Sequence, residues 1–193
     1  MGVYQFALTG LTLLGICLGT ASCLFAGDSQ DTDISPQTIE TIDNTSQLRD
    51  AEDRVRVVLP PGWQEAPEKT LHDSADLYAK HEDQELYLVV VGESRSAIQA
   101  GSEELIAYRY RQIILDALDD YREPTATQAD AVGGYPTVQY EIRGTLDSND
   151  IVYLHTTVFV DDQVYQVVGW TTAAKYERHR DELQEIISSF RPV

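Results

Sequence analysis

The second half of the chain alternates between apolar and polar positions, which is the pattern of strands with one buried face. Within residues 137–146, Val138, Tyr140 and Ile142 share one face, and polar residues occupy the other. Similar runs predict further strands, and the pair Asp161-Asp162 joins two of them as a hairpin turn. The strands predicted in this half are 127–132, 137–146, 151–160 and 163–171.

Earlier strands are predicted at residues 54–59, 75–81 and 85–91. The run at 85–91 (ELYLVVV) is apolar on both of its alternating faces, which indicates a central strand covered on both sides. The Pro60-Pro61-Gly62 turn ends the first of these strands, and Trp63 follows that turn.

Apolar residues at helical spacing predict two helices. The first begins after Ser102, a favourable N-cap, and carries two glutamates in its first turn. The second covers residues 173–190. The buried positions are predicted to be Ile106, Tyr110, Ile113, Ile114 and Ala117 in the first helix and Tyr176, Leu183, Ile186, Ile187 and Phe190 in the second. The order β-β-β-α-β-β-β-β-α, with short connections, predicts an α+β fold: a mostly antiparallel β-sheet flanked by helices.

An apolar segment opens the chain, since the first 27 residues carry no charged side chain. Small residues and Cys23 follow its apolar core, and this order resembles a bacterial lipoprotein export signal with Cys23 as the lipid-attachment residue. Two other interpretations stay open. The signal could be cut near Ala26 without lipid, giving a soluble secreted or periplasmic protein. Alternatively, residues 6–26 could remain as an uncleaved anchor, because they can span ~30 Å of hydrocarbon.

The predicted organisation has three parts: an export segment at 1–23, an acidic flexible linker at 24–53 and one domain at 54–193. The linker is rich in Asp, Ser, Thr and Gln and shows no sustained apolar period, which is typical of a solvated spacer. The chain has 14 basic and 32 acidic residues and a formal net charge of −18. Such a surface repels nucleic acid, so nucleic-acid binding is excluded.

Three short motifs carry a resemblance to a known family. The run Val55-Arg56-Val57-Val58-Leu59-Pro60-Pro61-Gly62-Trp63, the run Val132-Gly133-Gly134-Tyr135-Pro136 and the closing Ile186-Ile187-Ser188-Ser189-Phe190 resemble the PsbP-like superfamily. This resemblance implies a PsbP-like α/β/α sandwich. The superfamily includes extrinsic photosystem II subunits, GTPase-binding nuclear proteins and DcrB-type bacterial envelope lipoproteins, and the lipid-type N-terminus is most similar to the last group. The resemblance implies a binding or assembly module rather than an enzyme.

No catalytic or cofactor motif stands out. The four histidines lack the spacing of a helical metal site, and no G-x-S-x-G elbow occurs, so we expect no catalytic residue, no cofactor and no metal. His155 is expected to be a hydrogen-bonded histidine of the sheet. Trp63 and Tyr135 lie beside predicted turns, where side chains reach solvent, and they are the candidate ligand or partner surface.

Together these features predict a membrane-tethered extracytoplasmic lipoprotein that acts as a non-catalytic binding or assembly module with a protein partner in the cell envelope. The alternative is a small-ligand carrier or sensor domain in the same compartment.

Overall fold

The structure is a computed structural model, and it describes residues 37–42, 45–67, 71–129 and 131–193. The predicted export segment with Cys23, and linker residues 24–36, lie outside these ranges. The elements, in chain order, are β1 (Gln37–Ile42), β2 (Thr45–Asp50), β3 (Val55–Leu59), β4 (Gln64–Glu65), β5 (Leu77–His81), β6 (Leu86–Ser94), α1 (Glu103–Asp116), β7 (Asp120–Tyr121), β8 (Thr125–Ala126), β9 (Ala131–Val132), β10 (Tyr135–Leu146), β11 (Asn149–Val160), β12 (Gln163–Thr172), α2 (Ala173–Ser188) and β13 (Arg191–Pro192).

Five long strands form the main sheet in the order β5-β6-β12-β11-β10, and every pairing is antiparallel. Helix α1 packs on one face of this sheet and α2 on the other. The predicted α+β class and the mostly antiparallel sheet are therefore confirmed. The β10–β11 turn uses Asp147 and Ser148, both with positive φ, and the β11–β12 turn contains Asp161 with φ 43°. Short turns of this kind suit the twist of antiparallel hairpins.

The two faces of the main sheet differ in chemistry. On β11, Val152 and Leu154 point to the α2 side, and Tyr153 and His155 point to the α1 side. The α2 side is almost entirely aliphatic, and the second sheet also packs there. The α1 side contains most of the aromatic and polar side chains of the sheet. Its buried cluster near the middle of the sheet includes Ala66, Leu71, Tyr78, Val89, Ile114, Leu115, Ile142, Ile151, Tyr153, Val168 and Trp170.

A second sheet has the order β1-β2-β3-β13 and corrects the predicted domain boundary. The linker was expected to continue to residue 53, but β1 and β2 lie within it and pair with β3. The polar composition hid these strands, because only Leu48 and Asp50 of β2 are buried. Asp50 accepts hydrogen bonds from the backbone N–H groups of Arg54 (2.6 Å) and Val55 (2.9 Å), which fixes the turn into β3.

Both helices begin near the predicted positions. The N-cap Ser102 accepts a hydrogen bond from the backbone N–H of Leu105. Ile106 and Ile114 are buried as predicted, but Ile113 is 39% exposed, and Ala107 and Leu115 are buried in addition. The pattern was read one position out of phase at Ile113. In α2 the predicted buried set is correct, with Phe190 just beyond the helix end.

The predicted strand at 127–132 is replaced by a segment that follows the outer edge of β10. Backbone N–H groups of Asp119, Arg122 and Thr127 donate to carbonyl groups of β10, and β7 and β8 pair with the same strand. We call residues 119–127 the edge segment. Its pairing is interrupted, because Pro124 lacks an N–H group and lies between β7 and β8. The segment forms one wall of the site described below.

Candidate functional site

Trp63 is buried, with 5% of its surface exposed. Its indole N–H donates to Oε1 of Glu182 on α2 at 2.7 Å, and its ring meets the ring of His81 edge-on at 6.4 Å between centroids. The expectation that this side chain reaches solvent is wrong, because the carboxylate of α2 supplies the acceptor that a buried indole needs. Tyr135 is half-buried against the same core cluster. Cys23 lies outside the described residues.

The histidines fill structural positions. His155 is buried in the sheet, and its Nε2 lies 2.8 Å from Oε1 of Gln166, as expected for a hydrogen-bonded histidine of the sheet. Burial lowers the pKa of His155 to about 4, so the imidazole is neutral at pH 7. Nδ1 of His179 lies 3.1 Å from Oε2 of Glu182. Within the described ranges, no group of three or more His, Cys, Asp or Glu side chains is placed to hold a metal ion.

An open groove of about 310 Å³ lies at one end of the main sheet. The edge segment forms one wall, the ends of β10 and β11 form the other, and the first residue of α2 closes one side. We call this feature the Arg143 groove. It is lined by Asp120, Tyr121, Arg122, Arg143, Gly144, Thr145, Asp150, Ile151 and Ala173.

Arg143 is fixed by contacts from two elements. Strand alternation places Glu141 and Arg143 on the same face of β10, where the Nε group donates to Oε1 of Glu141 at 2.7 Å. The Nη2 group donates to Oε1 of Glu177 on α2 at 2.8 Å, and the guanidinium lies over the ring of Tyr176 at 5.1 Å. The bond to Glu177 contributes most to raising the pKa of Arg143, so its charge is permanent.

Tyr176 completes this network beneath the groove. Its hydroxyl donates to Oε2 of Glu141 at 2.9 Å, so the same carboxylate receives Arg143 on one oxygen and the tyrosine on the other. Burial, reinforced by the bond to Glu141, raises the pKa of the Tyr176 hydroxyl, which keeps it protonated and donating. Three side chains therefore hold one another in fixed positions.

The opposite wall comes close because Gly144 has no side chain. A Cβ atom at Gly144 would lie 2.6 Å from the carbonyl oxygen of Asp120 and 2.6 Å from Cδ1 of Leu118. Glycine thus allows the edge segment to contact β10 and brings Arg122 to the groove. On the β11 side, the hydroxyl of Thr145 donates to Asp150 at 3.2 Å.

The groove is suited to binding. Its lining contains two arginines and two aspartates together with the Tyr121 and Thr145 hydroxyls, and none of its nine residues is a histidine, cysteine, serine or lysine. Sequence reasoning missed this site. Asp120, Arg122 and Arg143 lie in a loop and a strand with no shared motif, and only the pairing of the edge segment with β10 brings them together.

Comparisons with known proteins establish the fold. No family model matches the chain, and no curated protein matches it. Among solved structures, it is similar to the cyanobacterial PsbP (CyanoP) of Synechocystis sp. PCC 6803, with 16% identity over 86% of this chain and 98% of that chain and a TM-score of 0.56. The described domain therefore has a PsbP-like fold.

Two further structures share this fold at similar distance. LpqN of Mycobacterium tuberculosis, involved in cell envelope biogenesis, matches at 12% identity over 70% of this chain and 81% of that chain, with a TM-score of 0.51. The Ran-binding protein Mog1p of Saccharomyces cerevisiae matches at 12% identity over 78% and 96%, with a TM-score of 0.52. In the part of the chain that the structure describes, neither helix is long and apolar enough to span a bilayer.

Proposed function

We propose that the chain is a membrane-tethered extracytoplasmic lipoprotein whose PsbP-like domain is a non-catalytic binding or assembly module. The Arg143 groove carries the part of this proposal that concerns binding. It presents permanent charges of both signs, fixed by hydrogen bonds and open to solvent, and its lining offers no nucleophile paired with a base. Fixed complementary charges provide specificity and orientation for a partner.

The similar structures support the same kind of role. One is named for cell envelope biogenesis and another is a Ran-binding protein. The tether and the location are supported by the apolar first 27 residues and by the small residues before Cys23. We include in the proposal that DcrB-type envelope lipoproteins are the nearest relatives in function. Cys23 is the proposed lipid-attachment residue, and the partner is a protein of the envelope.

The tether is tested by expressing the full chain in a bacterial host and measuring intact mass and membrane partitioning. We expect a mature chain that begins at Cys23 and carries acyl mass, and we expect Cys23→Ala to lose both the acyl mass and the processing. Cys17→Ala is the matched control and should behave like the native chain. A soluble chain cut elsewhere, or full-length protein that stays in the membrane in every variant, would contradict lipidation.

The binding role is tested by affinity capture from detergent-solubilised envelopes of the source organism. Arg122→Glu reverses a charge in the groove, and Arg178→Glu makes the same change on the exposed side of α2, away from the groove lining. We expect one envelope protein to be captured by the native domain and by Arg178→Glu but to be lost with Arg122→Glu. Equal capture by all three, or no partner for the native domain, would argue against a partner site in the groove.

The size of the groove favours a second candidate function, a small-ligand carrier or sensor. About 310 Å³ falls at the lower end of the range of small-molecule pockets. Thermal-shift measurements across a panel of polar metabolites would test it. A ligand of this site should raise the melting temperature of the native domain and not that of an Arg143→Gln variant, whereas a flat response across the panel would count against a carrier.

A further inference from the structure

Arg111 is an unusual cation in this acidic chain. It projects from α1 toward the main sheet, and its guanidinium carbon lies 4.2 Å from the ring centroid of Tyr140 and 5.1 Å from that of Tyr108. Arg54 and Arg143 each pair with at least two carboxylates, but within the described residues Arg111 has ring contacts and no ion pair.

The hydrogen-bonding capacity of Arg111 is also unused. Its Nε atom is buried and has no hydrogen-bond partner among the described residues. Contact with an aromatic ring stabilises the charge, but the N–H groups in the guanidinium plane still need oxygen acceptors. A carboxylate matches this edge, because its two oxygens accept two parallel N–H bonds from a guanidinium.

Two more unsatisfied groups lie on the same face of the sheet. Tyr140 pairs across the strands with His155, and Oε1 of Gln166 lies 2.8 Å from both Nε2 of His155 and the hydroxyl of Thr157. Nδ1 of His155 and Nε2 of Gln166 are buried without partners. His155 is 1% exposed and Gln166 is 6% exposed, so bulk water does not reach these atoms.

The two unpartnered atoms are complementary. When Oε1 of Gln166 accepts from both neighbours, His155 carries its proton on Nε2, which leaves Nδ1 as an acceptor and the Gln166 amide N–H groups as donors. Reversing the amide exchanges the roles and leaves one donor and one acceptor again. Buried polar groups are nearly always hydrogen-bonded, so such a pair indicates a missing third group. A group that both donates and accepts, such as a primary amide, would satisfy both.

We propose that the seam between α1 and the main sheet binds a small organic carboxylate: Arg111 holds the carboxylate, and His155 with Gln166 receives a polar group at the other end of the molecule. The site shares no residue with the Arg143 groove, so it goes beyond the function proposed above and does not depend on it. The surrounding rings of Tyr108 and Tyr140 supply the apolar part of the lining.

Electrostatics support the same arrangement. Burial is the main cause that lowers the pKa of His155, and the positive charge of Arg111 lowers it further. Because a cation near a buried imidazole opposes its protonation, a carboxylate at Arg111 would offset that effect. Binding should therefore raise the pKa of His155, which adds a readout that surface binding elsewhere would not produce.

The test uses two probes that share a carboxylate and differ at the far end: butyrate, which ends in a methyl group, and succinamate, which ends in a primary amide. Both are titrated into the isotope-labelled protein at pH 7 and constant ionic strength, and the Nε–Hε signal of Arg111 is followed by NMR. We expect saturable shifts with both, and about fivefold tighter binding of succinamate, since one hydrogen bond contributes about 1 kcal/mol.

Three variants separate the parts of the proposal. Arg111→Gln should abolish saturable binding of both probes, and Gln166→Met should remove the preference for succinamate. Arg109→Gln is the matched control on the same helix, because Arg109 donates to the carbonyl of Gln99 and takes no part in the seam. If Gln166→Met does not fold, the imidazole nitrogen signals of His155 in the native protein report the same contact, since Nδ1 should shift with succinamate and not with butyrate.

Opposite results would overturn the proposal. Shifts that never saturate, or equal binding by Arg111→Gln, would remove Arg111 as the anion site. Inorganic phosphate binding more tightly than succinamate would exclude a carboxylate as the ligand class. Equal affinity for the two probes, with no change at His155, would remove the buried end of the site.

Discussion

The indole N–H of Trp63 and the carboxylate of Glu182 form a 2.7 Å hydrogen bond that joins the turn after β3 to α2. The two residues are 119 positions apart in the sequence. This contact connects the beginning of the domain to its final helix, and it explains why a tryptophan beside a turn is buried.

Removing the donor should therefore destabilise the fold. We expect Trp63→Phe to lower the free energy of unfolding by about 1–2 kcal/mol, because the ring is largely retained while the Glu182 carboxylate loses its partner. Glu182→Gln keeps an acceptor oxygen and should lose less than half as much. Urea unfolding measures both, with the exposed Glu185→Gln on the same helix as the control. A loss below 0.5 kcal/mol for Trp63→Phe would mean that this bond does not hold the turn.

The two helix N-termini provide a matched test of capping. Ser102 accepts the backbone N–H of Leu105, whereas the side chain of Thr172 makes no capping hydrogen bond. We expect Ser102→Ala to lower unfolding stability by about 1 kcal/mol and Thr172→Ala to change it by much less. The comparison is made by urea unfolding monitored by far-UV circular dichroism. Equal losses would show that the capping bond of Ser102 adds nothing.

Stability should depend on pH through His155. Its pKa is about 4 in the folded protein and about 6.5 in the unfolded chain, so the unfolded state takes up a proton first as pH falls. The stability contributed by neutral His155 is present at pH 7 and is lost as pH falls below about 6.5 toward 4, by about 2–3 kcal/mol at pH 4.5.

His155→Gln should remove this part of the pH dependence. Unfolding free energies of the native protein and the variant are measured from pH 7 to 4.5. His72, whose pKa is also lowered by burial, remains in both proteins and contributes with the same sign. Parallel profiles for the two proteins would show that His155 is not protected from protonation.

Gly144 should resist substitution. A Cβ atom there would meet the carbonyl of Asp120 at 2.6 Å, so we expect Gly144→Ala to cost about 1–3 kcal/mol and to loosen the edge segment. Amide hydrogen exchange at Asp119 and Arg122 should rise, since both amides donate to β10. Gly101→Ala is the control, because its Cβ would meet only the flexible end of Leu105. Unchanged exchange in Gly144→Ala would contradict the tight approach.

The sequence was most informative where the pattern is regular. The alternation along 137–146, 151–160 and 163–171 predicted β10, β11 and β12, and the apolar spacing of α2 predicted all five of its core residues. These strands are long, consecutive and joined by short turns, so local pattern and tertiary pairing agree.

Prediction failed where tertiary contacts outweigh composition. Strand β2 buries only Leu48 and Asp50, and its order comes from pairing with β3 and from the carboxylate of Asp50 accepting backbone N–H groups. The Arg143 groove depends on the pairing of the edge segment with β10, which has no sequence signature. The seam at Arg111 is likewise visible only when α1 is placed over Tyr140.

The edge segment also has a consequence for the protein in a crowded environment. A twelve-residue strand with a free edge is a template onto which a strand from another molecule can add, and that is how many β-proteins polymerise. Here β7, β8 and the irregular residues between them already occupy much of the hydrogen-bonding edge of β10. Many copies confined to one membrane surface would meet at high local density, and this built-in cover would keep them from joining edge to edge.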